Sequence, residues 1–140
     1  MVKRMLHCKR LVVKIGTSSL IHQNGKVNLQ TIDRLAYTLA ALTNQGYELV
    51  LVTSGAIGVG MAKLGVTVRP AEIAQQQALA AIGQSELMTL YTQRFSDYGA
   101  KIGQLLLTHD VFDYPQTRQH VLDTIDALLK RQVMPIINEN

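Results

Sequence analysis

The sequence contains little cysteine, few aromatic residues and no long hydrophobic run. Its single cysteine, Cys8, excludes an internal disulfide and indicates a reducing compartment, the cytoplasm. No apolar run is long enough to cross a bilayer, so a membrane-spanning protein is not expected. Aromatic residues make up 5% of the chain, and no basic stretch alternates with rings as in single-strand binders. We therefore expect neither a membrane nor a nucleic acid as a partner.

The composition is that of one globular domain. The chain has 140 residues, of which 47% are hydrophobic and 17% are charged, which is enough apolar material for a core. The formal net charge is +4, and part of it comes from Lys3, Arg4, Lys9 and Arg10. We interpret these residues as a solvated basic face beside the first strand rather than a nucleic-acid site.

Apolar runs alternate with segments of helical periodicity along the chain. The pattern predicts strands at 10–15, 48–53, 101–107 and 133–140, and helices at 29–45, 71–98 and 117–131. Residues 54–65 are predicted to make a sharp turn that leads into a further helix. The Asn24-Gly25 pair predicts a tight hairpin turn, Asn28 can cap the helix that follows it, and Gly46 can end that helix. Continuous apolar strands separated by helices favour an α/β fold with a parallel sheet covered on both faces.

Polar residues follow three of the predicted strands at their carboxyl ends. The first strand ends in KIGTSS, the second in VTSGAI and the fourth in INEN. Ligands of open α/β sheets bind beyond the carboxyl ends of the strands. The three polar segments are therefore predicted to form one site.

The KIGTSS segment has the residue types of a phosphate site. Gly16 permits a close backbone approach to a ligand and unusual dihedral angles, Thr17 and Ser18 supply hydroxyl groups, and Lys14 supplies a point charge. It is not a P-loop, because Lys14 precedes the glycine instead of following it. A lysine that reaches solvent and an ordinary loop are the alternative interpretation of the same pattern.

The other two segments indicate a site for an anionic or amino-acid ligand. Ser54 can cap the following helix and leave its first N–H groups facing a ligand. Asn138, Glu139 and Asn140 offer hydrogen bonds at a strand tip. The alternatives are a cap without a ligand and a solvated loop. The four histidines are scattered and none has metal-ligand spacing, so we expect no metal site.

Five segments of the sequence occur in an order and spacing that resemble the amino acid kinase family. They are LVVKIGTSSL, LVLVTSGAIGVG, ALAAIGQSELM, IGQLLLT and PIINEN. Within that family they are most similar to the N-terminal part of the enzymes that phosphorylate glutamate. The resemblance runs from about Arg10 to Asn140 and implies a three-layer α/β/α sandwich with a mainly parallel sheet. It also implies transfer of the ATP γ-phosphoryl group, with Mg²⁺ on the nucleotide, to the γ-carboxylate of L-glutamate for proline synthesis. Proline is then the expected feedback inhibitor, and a homo-oligomer is the expected assembly.

The resemblance also assigns roles to residues of this chain. It implies that Lys14 is catalytic and that the ATP phosphates are bound by Lys14, Gly16, Thr17 and Ser18. It implies that glutamate is bound by Ser54, Gly55, Ala56 and Asn138.

The same resemblance implies that residues 1–140 are the N-terminal portion of one kinase domain, without a second domain. An aspartate follows PIINEN in the family, and the adenine-binding half comes later still. We therefore expect the 140-residue chain by itself to have little or no activity. The alternatives are a kinase for another carboxylate or carbamate, a non-catalytic anion-binding or assembly module, and a dinucleotide-binding oxidoreductase. The last fits poorly, because Lys63 occupies the third small position of a G-x-G-x-x-G motif.

Overall fold

The structure, a computed structural model, describes residues 8–107 and 109–139. Strands and helices alternate along these ranges, as the hydrophobic pattern predicts. In chain order they are β1 Arg10–Ile15, α1 Thr17–Leu20, α2 Leu29–Asn44, β2 Glu48–Thr53, α3 Ala56–Leu64, α4 Ile73–Asp97, β3 Lys101–Leu105, a 3₁₀ helix at His109–Phe112, α5 Pro115–Lys130 and β4 Val133–Asn138.

The four strands form one parallel sheet in the order β1-β2-β4-β3. The last strand therefore lies between the second and the third. Ile15 is in register with Thr53, and Thr53 is in register with Asn138. This order places the carboxyl ends of β1, β2 and β4 side by side, so the three polar segments share one edge of the sheet.

Helices cover both faces of the sheet. Along β1 the side chains alternate, with Ile15 in the core and Val12 exposed, as the two-residue period of a strand requires. On β3, Ile102 packs against the core cluster, whereas a Cβ on Gly103 would lie 3.2 Å from Leu128 of α5. The core face is covered by α2 and α4 and the other face by α5, which confirms the three-layer α/β/α sandwich. The largest fully buried side chains include Tyr91, Phe95, Leu20, Ile32, Leu49, Leu51, Leu87 and Ile136.

Helices α3 and α4 cross in close contact at two glycines. A Cβ on Gly60 would lie 2.0 Å from the Leu79 carbonyl oxygen, and one on Gly83 would lie 1.6 Å from that of Ala56. No side chain fits at these separations, so both positions require glycine. The small residues of ALAAIGQS thus allow this close packing, which fixes the first turn of α3 against α4.

The predicted turn at Asn24-Gly25 and the predicted cap at Asn28 are confirmed. His22 and Lys26 are joined by a backbone hydrogen bond of 2.8 Å around Asn24-Gly25, and Gly25 has a φ of 86°. The Oδ1 of Asn28 accepts a hydrogen bond from the Thr31 N–H at 3.1 Å, which caps α2.

Some boundaries differ from the prediction. Strand β3 ends at Leu105 rather than at residue 107, because its pairing with β4 ends at Leu105–Ile137. Helix α5 begins at Pro115 rather than Thr117, since proline suits the first helical position. Helix α4 is shorter than 71–98, and β4 ends at Asn138.

Several predictions fall outside the described residues. The basic residues Lys3 and Arg4 and the polar residue Asn140 lie there. Within residues 8–107 and 109–139, no helix combines the length and apolar character that a bilayer crossing requires.

Candidate functional site

A cleft of about 820 Å³ opens at the carboxyl edge of the sheet. Its walls are the start of α1, the Asn24-Gly25 hairpin, α3 and the loop after α3. Thr17, Ser54, Gly55 and Ala56, all predicted site residues, line this cleft, and so does Glu139. The structure therefore brings the KIGTSS, VTSGAI and INEN segments to one cavity.

The Gly16-Thr17-Ser18 segment is not the loop that the sequence predicts. Thr17 to Leu20 form the single-turn helix α1, for which Gly16 is the N-cap residue. Gly16 has a φ of −100°, which any residue can adopt, so the expectation of unusual dihedral angles there is wrong. A Cβ on Gly16 would meet nothing within 4 Å, so the space beside this residue is open.

Ser54 does not cap α3, which corrects the prediction. The N-cap residue is Gly55, in the left-handed conformation with a φ of 99°, and no described side chain caps the helix. Ser54 instead donates its hydroxyl and its N–H to the Ile15 carbonyl, at 3.4 and 3.2 Å, and so joins the ends of β1 and β2. Gly55 is required for its φ. A Cβ there would also contact Thr17 Oγ1 at 3.4 Å.

The first turn of α3 faces the cleft. Ala56, Ile57 and Gly58 line the cavity, and the first N–H groups of a helix have no partner within the helix. These groups carry the positive end of the helix dipole. This wall of the cleft therefore favours a carboxylate or a phosphate.

Lys14 lies at the border of the cleft and forms an ion pair with Glu139. Lys14 Nζ lies 2.9 Å from one Glu139 carboxylate oxygen and 3.3 Å from the other. Glu139 is itself held by the hydrogen bond from its N–H to the Thr53 carbonyl, at 2.7 Å. Both side chains are more than half exposed, so the pair contributes only about 0.2–1 kcal/mol and opens readily.

Asn138 points to the opposite face of the sheet from Lys14. It is in register with Thr53, whose hydroxyl lies on the α4 side, and its Nδ2 donates a hydrogen bond to Oε1 of Gln84 on α4. The strand therefore separates the side chains of Asn138 and Glu139, although they are adjacent in sequence. Of the predicted site residues, Asn138 is the one held by α4 instead of the cleft.

A buried hydrogen bond joins the end of β2 to α4, next to Ser54 of the site. The hydroxyls of Thr53 and Tyr91 lie 2.7 Å apart, and both side chains are fully buried. Burial raises the pKa of the Tyr91 hydroxyl to about 12, although its hydrogen bond with Thr53 acts in the other direction. Tyr91 is therefore neutral at physiological pH and fixes the end of β2 against α4.

Three residues near the site escape the sequence analysis. Lys26 of the hairpin and Arg69 of the loop after α3 line the cleft and bring positive charge to it. Gln84 stands four residues before the partly buried Met88, on the packed side of α4. A polar residue at a buried helical position is a signal that could have revealed it. The loop positions of Lys26 and Arg69 give no such signal.

Among residues 8–107 and 109–139, no three His, Cys, Asp or Glu side chains converge as they do around a bound metal ion.

Comparison with known proteins places this chain in a family. Residues 9–140 match the family model described as the amino acid kinase family. The glutamate 5-kinase of Ligilactobacillus salivarius (strain UCC118) is 58% identical over 138 residues, which are 99% of this chain and 52% of that protein. The glutamate 5-kinase of Enterococcus faecalis (strain ATCC 700802 / V583) is 54% identical over 140 residues, 100% of this chain and 52% of that protein. This chain thus spans about half the length of these curated relatives.

A solved structure supports the fold alone. The chain titled "X-ray structures of isopentenyl phosphate kinase" superposes with a TM-score of 0.59 over 94% of this chain and 57% of that one, at 10% identity. The parallel sheet and its polar carboxyl edge are consistent with the family that the family model identifies. The chain therefore belongs to the amino acid kinase family.

Proposed function

We propose that this chain forms the phosphate-transfer corner and part of the acceptor site of an ATP-dependent kinase for the γ-carboxylate of L-glutamate. The observation that carries the proposal is the cleft at the carboxyl edge, where Thr17, Ser54 and Gly55 meet the first turn of α3. The name glutamate 5-kinase, borne by relatives that are more than half identical over this chain, supports the choice of substrate.

The phosphate groups of ATP are proposed to bind on the β1 side of the cleft. Gly16 leaves open space, Thr17 and Ser18 begin α1 with their hydroxyl groups, and Lys14 stands beside them on the exposed end of β1. Because the Lys14–Glu139 pair is exposed and weak, Lys14 can exchange the Glu139 carboxylate for a phosphate. Mg²⁺ is proposed to arrive with the nucleotide and to neutralise its phosphate oxygens.

Glutamate is proposed to bind on the β2 and β4 side. Ser54, Gly55 and Ala56 present the α3 N-terminus to a carboxylate, and Asn138 supplies an amide at the neighbouring strand end. Lys26 and Arg69 add positive charge at the cleft wall. A dicarboxylate suits this positive environment better than a neutral alcohol does.

In the proposed reaction, a γ-carboxylate oxygen of glutamate attacks the γ-phosphorus of ATP. The bond from that phosphorus to the β–γ bridging oxygen breaks, ADP leaves with the electron pair, and glutamyl 5-phosphate forms. The carboxylate is already ionised at neutral pH, so the chain needs no general base. Lys14 has the task of lowering the repulsion between the two anions as they approach each other.

Hydroxylamine trapping tests this proposal directly. The protein at its full natural length is incubated with ATP, Mg²⁺, glutamate and hydroxylamine, and the γ-hydroxamate formed from the acyl phosphate is measured. We expect hydroxamate with glutamate and little with aspartate or N-acetylglutamate. Product with one of the latter alone would replace the substrate. The absence of product with all three would favour an anion-binding or assembly module.

The remaining parts of the proposal need separate measurements. Residues 1–140 are proposed to be the N-terminal portion of one kinase domain and to have little or no activity alone, which the same trapping assay measures. Proline is proposed to compete with glutamate, which is tested by the dependence of the glutamate KM on proline concentration. A cytoplasmic homo-oligomer is proposed, and light scattering coupled to size exclusion measures its mass.

A further inference from the structure

Two side-chain amides meet under the carboxyl edge of the sheet, on the α4 side. Asn138, the last residue of β4, donates from Nδ2 to Oε1 of Gln84. Gln84 directly follows Gly83, the residue whose missing side chain lets α4 approach the start of α3. The pair is thus built into the helix crossing that also fixes the first turn of α3.

Each amide keeps one buried atom without a partner. Among the described residues, neither Oδ1 of Asn138 nor Nε2 of Gln84 has a hydrogen bond, and both atoms are shielded from solvent. Native proteins satisfy nearly all such atoms, and an unsatisfied one is costly. Rotating both amides by 180° exchanges the donor with the acceptor and still leaves one of each free. A group that brings both a donor and an acceptor, such as a small polar ligand or a water, would satisfy both atoms.

Among residues 8–107 and 109–139, the neighbouring side chains that could satisfy these atoms are already paired. The Thr53 hydroxyl, in register with Asn138, is already engaged with Tyr91. Lys14 and Glu139 pair with each other on the opposite face of the sheet. Both Asn138 and Gln84 are only partly buried as whole residues, which leaves part of each side chain in contact with solvent.

The α-ammonium and α-carboxylate of an amino acid together supply the missing donor and acceptor. We infer that Gln84 and Asn138 form a two-amide subsite that binds the α-amino-acid end of the substrate, with Gln84 as a substrate-binding residue in its own right. This inference rests on the proposed function and adds to it the residue that binds the α-ammonium or α-carboxylate group of the substrate.

The test is a comparison of substrates and variants in the protein at its full natural length. Initial rates of acyl-phosphate formation are measured with glutamate, with 4-aminobutyrate, which lacks the α-carboxylate, and with glutarate, which lacks the α-ammonium group. The variants are Gln84→Met, which removes both polar atoms at similar volume, and Gln84→Glu, which keeps an acceptor for Asn138. The matched control is Gln93→Met, at an exposed position of the same helix.

We expect Gln84→Met to raise the KM for glutamate about tenfold or more, as the loss of a hydrogen bond to a charged group does, with the KM for ATP unchanged. The preference for glutamate over one of the two analogues should shrink by a similar factor. The variant no longer binds the group that this analogue lacks, so glutamate loses its advantage. Gln84→Glu should retain part of the preference if Gln84 accepts from the ammonium group, and lose it if Gln84 donates to the carboxylate. Gln93→Met should match the parent protein.

The outcomes separate the inference from the proposed function. If the parent protein forms acyl phosphate from glutamate, but Gln84→Met keeps the same KM and the same preference over both analogues, Gln84 is structural and the inference is wrong. A loss of unfolding free energy without a change in KM leads to the same conclusion. If Gln84→Met does not fold, Gln84→Glu decides: a raised KM with a reduced preference supports the inference, and an unchanged KM with an undiminished preference over both analogues refutes it. If the parent protein forms no acyl phosphate from glutamate, the proposed function fails, and the inference fails with it.

Discussion

Both edges of the sheet carry basic side chains, but the backbone groups beside those side chains differ between the two edges. At the carboxyl edge, Lys26 and Arg69 line the 820 Å³ cleft together with the first turn of α3. At the amino edge, a cleft of about 460 Å³ is lined by Lys9, Lys101 and Lys130 beside the last turns of α2 and α5. Both edges are basic and concave, yet one presents helix N–H groups and the other helix carbonyls.

This difference decides what the lysines do. Helix carbonyl ends carry partial negative charge, so lysines at the amino edge complement the helices themselves. The Glu48 carboxylate also forms ion pairs there, with Lys9 Nζ at 3.5 Å and with Arg10 Nε at 3.0 Å. At the carboxyl edge, the helix N-terminus and the basic side chains have the same sign, and together they attract an external anion. We therefore expect the basic cleft at the carboxyl edge to bind a ligand and the one at the amino edge to serve the structure.

The largest effect is expected when one lysine at each edge is replaced by alanine and the two variants are compared. In the protein at its full natural length, Lys14→Ala should reduce kcat for acyl-phosphate formation by about 10²–10³, the usual cost of losing one electrostatic contact to the transition state. Lys101→Ala removes the same charge at the amino edge and should leave kcat within a factor of two. Hydroxamate trapping measures both, and a loss of similar size in the two variants would refute the distinction between the edges.

The crossing of α3 and α4 is the next test, because it sets the N-terminus of α3 at the carboxyl edge. Gly83→Ala places a Cβ 1.6 Å from the Ala56 carbonyl oxygen and should lower the free energy of unfolding by about 3 kcal/mol through overpacking. Gly16→Ala meets nothing within 4 Å and should cost less than about 1 kcal/mol. Urea unfolding followed by circular dichroism compares the two. Equal losses would mean that the close approach of the helices is not required.

Burial of the Tyr91 hydroxyl predicts a pH effect at the carboxyl edge. The folded pKa of Tyr91 is raised to about 12 from an ordinary value of 10.0, so the unfolded chain ionises first. The stabilisation is fully present below pH 10 and is lost as the pH rises from 10 to about 12. Tyr91→Phe should lose about 1–2 kcal/mol at pH 7 and show a flatter decline above pH 10. Tyr37→Phe, at an exposed position, is the control and should behave like the parent in urea unfolding at each pH.

The amino edge should show the smallest effect, at acidic pH. The hydrogen bond from the Arg10 guanidinium holds the pKa of Glu48 below its usual value. The stabilisation is therefore present above about pH 4.5 and is lost as the pH falls through the lowered pKa of Glu48. Glu48→Gln should flatten the fall of the urea midpoint between pH 5 and pH 3. Arg10→Ala should flatten it less, because Lys9 still pairs with Glu48 in that variant. An unchanged slope in Glu48→Gln would show that the pairing of Glu48 does not contribute to stability in this pH range.

Local signals in the sequence predicted the elements well because each depends on neighbouring residues. Asn28 caps α2 through a contact three residues away, and Asn24-Gly25 turns within its own hairpin. The cap at Ser54 failed for a physical reason. Gly55 adopts a positive φ at the N-cap position, and Ser54 is drawn to the Ile15 carbonyl of the neighbouring strand. That contact depends on the pairing of β1 with β2, which local sequence does not encode.

The amino-acid sequence by itself determined which residues form strands and helices, and which polar segments stand at carboxyl ends, because hydrophobic period and turn chemistry are local. Only the tertiary structure decided their partners. The order β1-β2-β4-β3 brings Glu139 to Lys14 across 125 positions and Asn138 to Gln84 across 54. The alternation of a strand then sends the side chains of these two neighbouring residues to opposite faces, so one meets the exposed lysine and the other a buried amide.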